Sequence, residues 1–81
     1  MNIIIIEDER LTAEDLAETL KMYDNSINIQ AKLSSVKSAI EYFKENESPD
    51  LIFSDIQLGD GLSFEIFKNI LIDVPVIFCT A

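Results

Sequence analysis

Apolar runs of strand length alternate with segments of helical period along this chain, and that alternation restricts the fold more than any other feature. The runs are Asn2 to Ile6, Ile27 to Leu33, Leu51 to Asp55 and Val76 to Thr80. Between them apolar residues recur at three- and four-residue spacing, as on an amphipathic helix. Strands joined by crossover helices form a parallel sheet with helices packed on it, an α/β architecture in the order β-α-β-α-β-α-β. With 81 residues the chain is one domain at most, near the lower limit for a core that holds without disulfides or metals.

The first helix is expected over about Leu11 to Tyr23, with Ala13, Leu16, Ala17, Leu20 and Tyr23 on one stripe and acidic residues in its first turns. In the second strand Ile27, Ile29, Ala31 and Leu33 alternate with Asn28, Gln30 and Lys32, so one face is wet and the strand belongs at a sheet edge. Ser34 or Ser35 caps the second helix, whose apolar stripe is Val36, Ala39, Ile40 and Phe43. Both glycines of the chain, Gly59 and Gly61, fall in the turn after the third strand. A third helix follows at about Leu62 to Leu71, burying Leu62, Ile66, Phe67 and Ile70. The last run, Val76 to Cys79, is continuously apolar, the mark of a strand buried on both faces.

Composition removes several functions. A formal charge of -9 repels phosphate backbones and anionic lipid, so direct nucleic-acid or membrane binding by this segment is not expected. There is no basic leader and no apolar run near ~20 residues, so neither export nor a membrane span is expected. Cys79 is the lone cysteine and lies in an apolar run, which makes it a small core residue in a reducing, cytoplasmic compartment.

The chemistry sits at the strand ends. The first strand stops at Glu7-Asp8-Glu9 and the third at Ser54-Asp55. Parallel strands place ligand sites beyond their carboxyl ends, so neighbouring strands would bring Asp8 and Asp55 to one divalent cation. Carboxylates ahead of a helix also simply favour its positive end, and on the first cluster alone that reading is as good. The Gln57 to Gly61 turn at the same edge adds a backbone carbonyl. Mg²⁺ needs only two or three protein oxygens, whereas a chain without histidine has no convincing zinc or copper set.

Ile3 to Glu9, Leu51 to Leu58, Asp60-Gly61 and Pro75 to Ala81, taken in this order, resemble a CheY-like receiver domain of two-component response regulators. The stretch Asp55 to Phe64 is similar to receivers of LytTR-type transcription regulators. The resemblance implies a flavodoxin-like doubly wound sheet with strand order 2-1-3-4. It implies that Asp55 is the phosphoacceptor, that Asp8 ligates magnesium directly and Gln57 through its carbonyl, and that Glu7 acts largely through water. Thr80 matches the switch hydroxyl, and a histidine kinase is the implied donor. Gly59 stands where receivers commonly carry a proline.

The family pattern continues with a fourth helix, a fifth strand ending in a lysine that contacts the phosphoryl group, and a fifth helix, so residues 1–81 are expected to form a partial receiver. None of Arg10, Lys21, Lys32, Lys37, Lys44 or Lys68 matches that lysine. Poor phosphotransfer is then expected, together with a homo-oligomer formed through the open edge of the last strand and the uncovered sheet face. Two other readings stand beside this one. A pseudo-receiver would keep the fold as an interaction module without phosphorylation. A phosphohydrolase with an aspartate nucleophile usually carries a second carboxylate two residues on, where this chain has Gln57.

Overall fold

The computed structural model describes residues 1–79. Its elements are β1 (Asn2–Ile6), α1 (Arg10–Tyr23), β2 (Asn28–Leu33), α2 (Val36–Glu45), β3 (Leu51–Asp55), β4 (Gln57–Leu58), β5 (Gly61–Leu62), α3 (Phe64–Asn69) and β6 (Val76–Cys79). The main sheet has the order β2-β1-β3-β6 and its strand pairs are parallel. Counting β6 as the fourth long strand, this is the expected 2-1-3-4 order of a flavodoxin-like doubly wound sheet.

Four isoleucines make β1 the axis of the molecule. Ile3 and Ile5 face α1 and pack with Ala13, Ala17 and Ile27. Ile4 and Ile6 point the other way, toward Val36, Ala39 and Phe43 of α2, Ile66 of α3, Ile52 and Leu58. Successive strand side chains point to opposite faces, so a continuous apolar run is stable only with a helical layer on both sides.

Five details differ from the sequence expectation. Tyr23 lies off the buried stripe of α1, 89% exposed at the helix's last residue. The helix begins at Arg10 with Glu9 as its N-cap, so its first turn holds no acidic residue. In β2 the register shifts between Ile3↔Ile29 and Ile4↔Ala31, a bulge centred on Gln30. The extra residue inverts the alternation: Ile27 and Ile29 pack on the α1 side, Ala31 and Leu33 on the α2 side. The Gln30 amide is held by donating to the Tyr42 hydroxyl (3.0 Å) and the Glu47 carbonyl (2.9 Å). Although β2 is an edge strand, it therefore has no single wet face.

The fourth difference lies after β3. Gly61-Leu62 does not begin the third helix; it pairs antiparallel with Gln57-Leu58 as a small hairpin. Leu62 is consequently 46% exposed, and α3 is confined to Phe64–Asn69. Gly61, at φ +146°, is the positive-φ residue of the turn, a backbone state that L side chains rarely adopt. The outer strand β6 departs as well: Ile77 and Phe78 are exposed and Cys79 is half-buried, because among the described residues β3 is the one strand that flanks β6.

Candidate metal and phosphoacceptor site

The site assembles where β1 and β3 end side by side. The pairing Ile6↔Ser54 puts the residues that follow, Glu7-Asp8 and Asp55, at one sheet rim. One carboxylate oxygen from each of Glu7, Asp8 and Asp55 lies within 4.8 Å of the others. Asp8 is exposed, whereas Glu7 and Asp55 are half-buried. The strand-end reading of these three acids therefore describes one real cluster.

Each acid is oriented differently. The Glu9 N–H donates to Glu7 Oε2 (3.0 Å), a local turn that also serves the entry into α1. The Ile56 N–H donates to Asp55 Oδ1 (2.8 Å), which leaves the other oxygen of Asp55 available. Burial pushes the Glu7 carboxyl above its ordinary range; the Glu9 N–H opposes this, while Asp8 and Asp55 add to it. The Cys79 thiol, opposite Asp55 in the β3–β6 register, is pushed up by burial and then by the Asp55 and Glu7 carboxylates. Among the described residues the two ion pairs, Arg10–Glu14 and Lys68–Glu65, lie elsewhere.

A hard divalent cation fits that donor set, since carboxylate and carbonyl oxygens with water completing the shell are what Mg²⁺ takes. Gln57 opens β4 just beyond Asp55 and pairs with Leu62. Thr80 lies outside the described residues.

Sequence reading did not foresee the part played by Asp60. Its Oδ1 accepts from the Val36 N–H (2.8 Å) and its Oδ2 from the Lys37 N–H (3.1 Å), so a residue of the hairpin caps α2. Those two N–H bonds hold the Asp60 carboxyl below the usual range. A carboxylate in a glycine-flanked turn was the available signal, but its partners are distant in sequence. Gly59 is the other. A Cβ added there would stand 3.8 Å from Asp8 Oδ2, so the tip of the hairpin lies alongside the acid cluster.

Residues 3–81 match the response regulator receiver domain family. The phyllosphere-induced regulator PhyR of Methylorubrum extorquens is 39% identical over 98% of this chain and 30% of its own length. The sensory transduction protein LytT of Bacillus anthracis is 30% identical over all of this chain and 33% of its own length. The chain thus spans about a third of these curated relatives. The solution structure of the Erythrobacter litoralis PhyR receiver superposes with a TM-score of 0.81 at 36% identity, covering 99% of this chain and 62% of that one. Parallel topology, an acid cluster at the strand ends and a family match over residues 3–81 agree: the chain belongs to the response regulator receiver domain family.

Proposed function

We propose that this chain is a phosphoacceptor module of a two-component system, residues 1–81 forming part of a receiver. The reading rests on the single cluster of Glu7, Asp8 and Asp55 within 4.8 Å. Asp55 is assigned as the nucleophile. One of its carboxylate oxygens bonds to the phosphorus of a kinase phosphohistidine as the P–N bond breaks, and the bond pair leaves with the imidazole, which takes up a proton. Asp8, Asp55 and the Gln57 carbonyl are assigned as Mg²⁺ ligands, with Glu7 acting through water. The cation supplies neutralisation of the phosphoryl oxygens. The Ile56 N–H fixes one Asp55 oxygen and so presents the other. Thr80 is assigned the switch hydroxyl, and the chain acts as a signalling module rather than a turnover enzyme.

The test is incubation with a small phosphoramidate donor and Mg²⁺, followed by intact-mass measurement. One phosphoryl group on the wild-type chain is the expected gain, slow in the absence of a receiver lysine. Asp55→Asn, or chelation of the metal, is expected to abolish it. A chain that stays unmodified under conditions that modify a full receiver would leave the pseudo-receiver reading in its place.

The output of the signal has two candidates. LytT-type similarity favours a transcription regulator. Similarity to PhyR, named an anti-anti-sigma factor in Bartonella quintana, favours an output through a protein partner. The -9 charge agrees with either arrangement, provided DNA contact is left to another segment. The cytoplasm is the proposed compartment; no helix among the described residues is long and apolar enough to cross a membrane. Self-association through the β6 edge is the further part of this reading.

A further inference from the structure

We infer that Asp60 is a positioning residue for the metal site, resting on the Mg²⁺ reading above: it holds the Gln57–Leu62 hairpin against the acid cluster and so sets the affinity for the cation.

The N-terminus of α2 shows why Asp60 has more to do than cap a helix. A helix begins with four N–H groups that lack intrahelical partners. Local residues already satisfy two of them: Ser35 Oγ accepts from the Ser38 N–H (3.0 Å) and Ser38 Oγ accepts from the Ser35 N–H (3.2 Å). Such a reciprocal capping box starts a helix without outside help. Asp60 reaches across 24 residues to take the remaining pair, Val36 and Lys37. What that adds is a connection between the hairpin and α2.

The hairpin is fastened at its other end too. The Ile56 carbonyl accepts both the Ser63 N–H (2.9 Å) and the Ser63 hydroxyl (3.2 Å). Between the two fastenings Leu58 is buried in the core cluster that contains Val36, and a Cβ on Gly61 would meet Val36 Cγ2 at 3.8 Å. Gly59 stands beside Asp8, and the carbonyl of Gln57 belongs to the same short span. Releasing Asp60 frees one end of the strap that carries this oxygen, while no proposed ligand is itself removed. Groups of this kind, which orient ligands without touching the metal, typically cost tenfold or more in metal affinity when removed. Coupling is reciprocal, so Mg²⁺ binding must in turn tighten the contact between Asp60 and α2.

Calorimetric titration of Mg²⁺ into the chain and its variants tests this, with hydrogen exchange at the Val36 and Lys37 amides as the second readout. Wild type is expected to bind and Asp8→Asn to fail, which establishes the site independently of Asp60. Asp60→Ala is expected to bind roughly tenfold more weakly with its circular dichroism unchanged. Asp60→Asn, which keeps one acceptor, is expected within about threefold of wild type, since Asn and Asp cap helices comparably. If the alanine variant does not fold, Asp60→Ser, too short to reach both donors, replaces it. Mg²⁺ is expected to slow exchange at Val36 and Lys37 in the wild type. An Asp60→Ala chain that melts earlier yet binds Mg²⁺ as tightly as wild type would overturn the inference and leave a structural cap. A wild-type chain that does not bind Mg²⁺ would overturn the metal reading itself, a result visible before any Asp60 variant is made.

Discussion

β1 and β6 are written in nearly the same alphabet, Ile-Ile-Ile-Ile against Val-Ile-Phe-Cys, yet the fold treats them differently. All four isoleucines of β1 are at most 1% exposed, whereas Ile77 and Phe78 of β6 are 45% and 38% exposed. β1 has β2 on one side and β3 on the other, with α1 and α2 over its faces; among the described residues β6 has only β3. Phe78 finds partial shelter in edge-to-face contact with Phe64, ring centres 5.0 Å apart, and with Phe67 at 6.2 Å. Hydrophobic pattern therefore says what a strand can tolerate on its faces, and position in the sheet says what it receives. β1 ends in the site's Glu7 and Asp8, and Cys79 of β6 lies level with Asp55, but only the central strand is enclosed.

The sharpest way to break this comparison is truncation of one isoleucine in each strand. Ile4→Ala leaves a cavity between β1 and α2 and is expected to cost about 3–4 kcal/mol, against a total stability for a domain of this size of only roughly 4–12 kcal/mol. Ile77→Ala is expected to cost under ~1 kcal/mol because its side chain is already half in water. Denaturant unfolding of the two variants, at protein concentrations low enough to keep the chain monomeric, decides the matter, and equal losses there would mean that another part of the same chain covers β6.

Covering by a second copy is the next test. An edge strand with unpaired backbone groups and exposed apolar side chains is a template for pairing. Light scattering is expected to show self-association that Ile77→Lys reduces to the monomer, while a wild-type monomer would contradict the proposal. The substitution changes one exposed side chain and is expected to leave the secondary structure, read by circular dichroism, unchanged.

The smallest effect concerns the charge at the end of β1. Because burial and the neighbouring acids raise the Glu7 carboxyl, the folded apo chain favours its protonated form. That contribution is fully present at acid pH and is lost as pH rises through and beyond the ordinary carboxylate range. Glu7→Gln in chelator is thus expected to raise the melting temperature slightly at pH 7 and to leave it unchanged at acid pH, below the ordinary carboxylate range. Saturating Mg²⁺ should remove the difference at neutral pH. A variant equally stabilised at both pH values would show that Glu7 does not feel the cluster.

Much of this was readable in the one-dimensional pattern. The runs ending at Ile6 and Asp55 located the acid cluster because strand ends in a parallel sheet share a rim, and the order β2-β1-β3-β6 followed the family resemblance. What escaped reading depended on partners far along the chain. The bulge at Gln30 is held by Tyr42 and Glu47, and it reverses which face of β2 each apolar residue serves. The hairpin at Gln57 to Leu62 took the place of the first turn of a helix because Leu58 is drawn into the core and Gly61 turns the chain. The partners of Asp60 lie 23 and 24 residues away.

By itself, then, the sequence determined the layered α/β plan and the carboxylates at two strand ends, because period and residue chemistry are local properties. Tertiary structure alone decided which apolar strand is enclosed, which face of β2 is dry and what Asp60 holds. Each of these is a contact between segments that only folding brings together, and no local pattern records it.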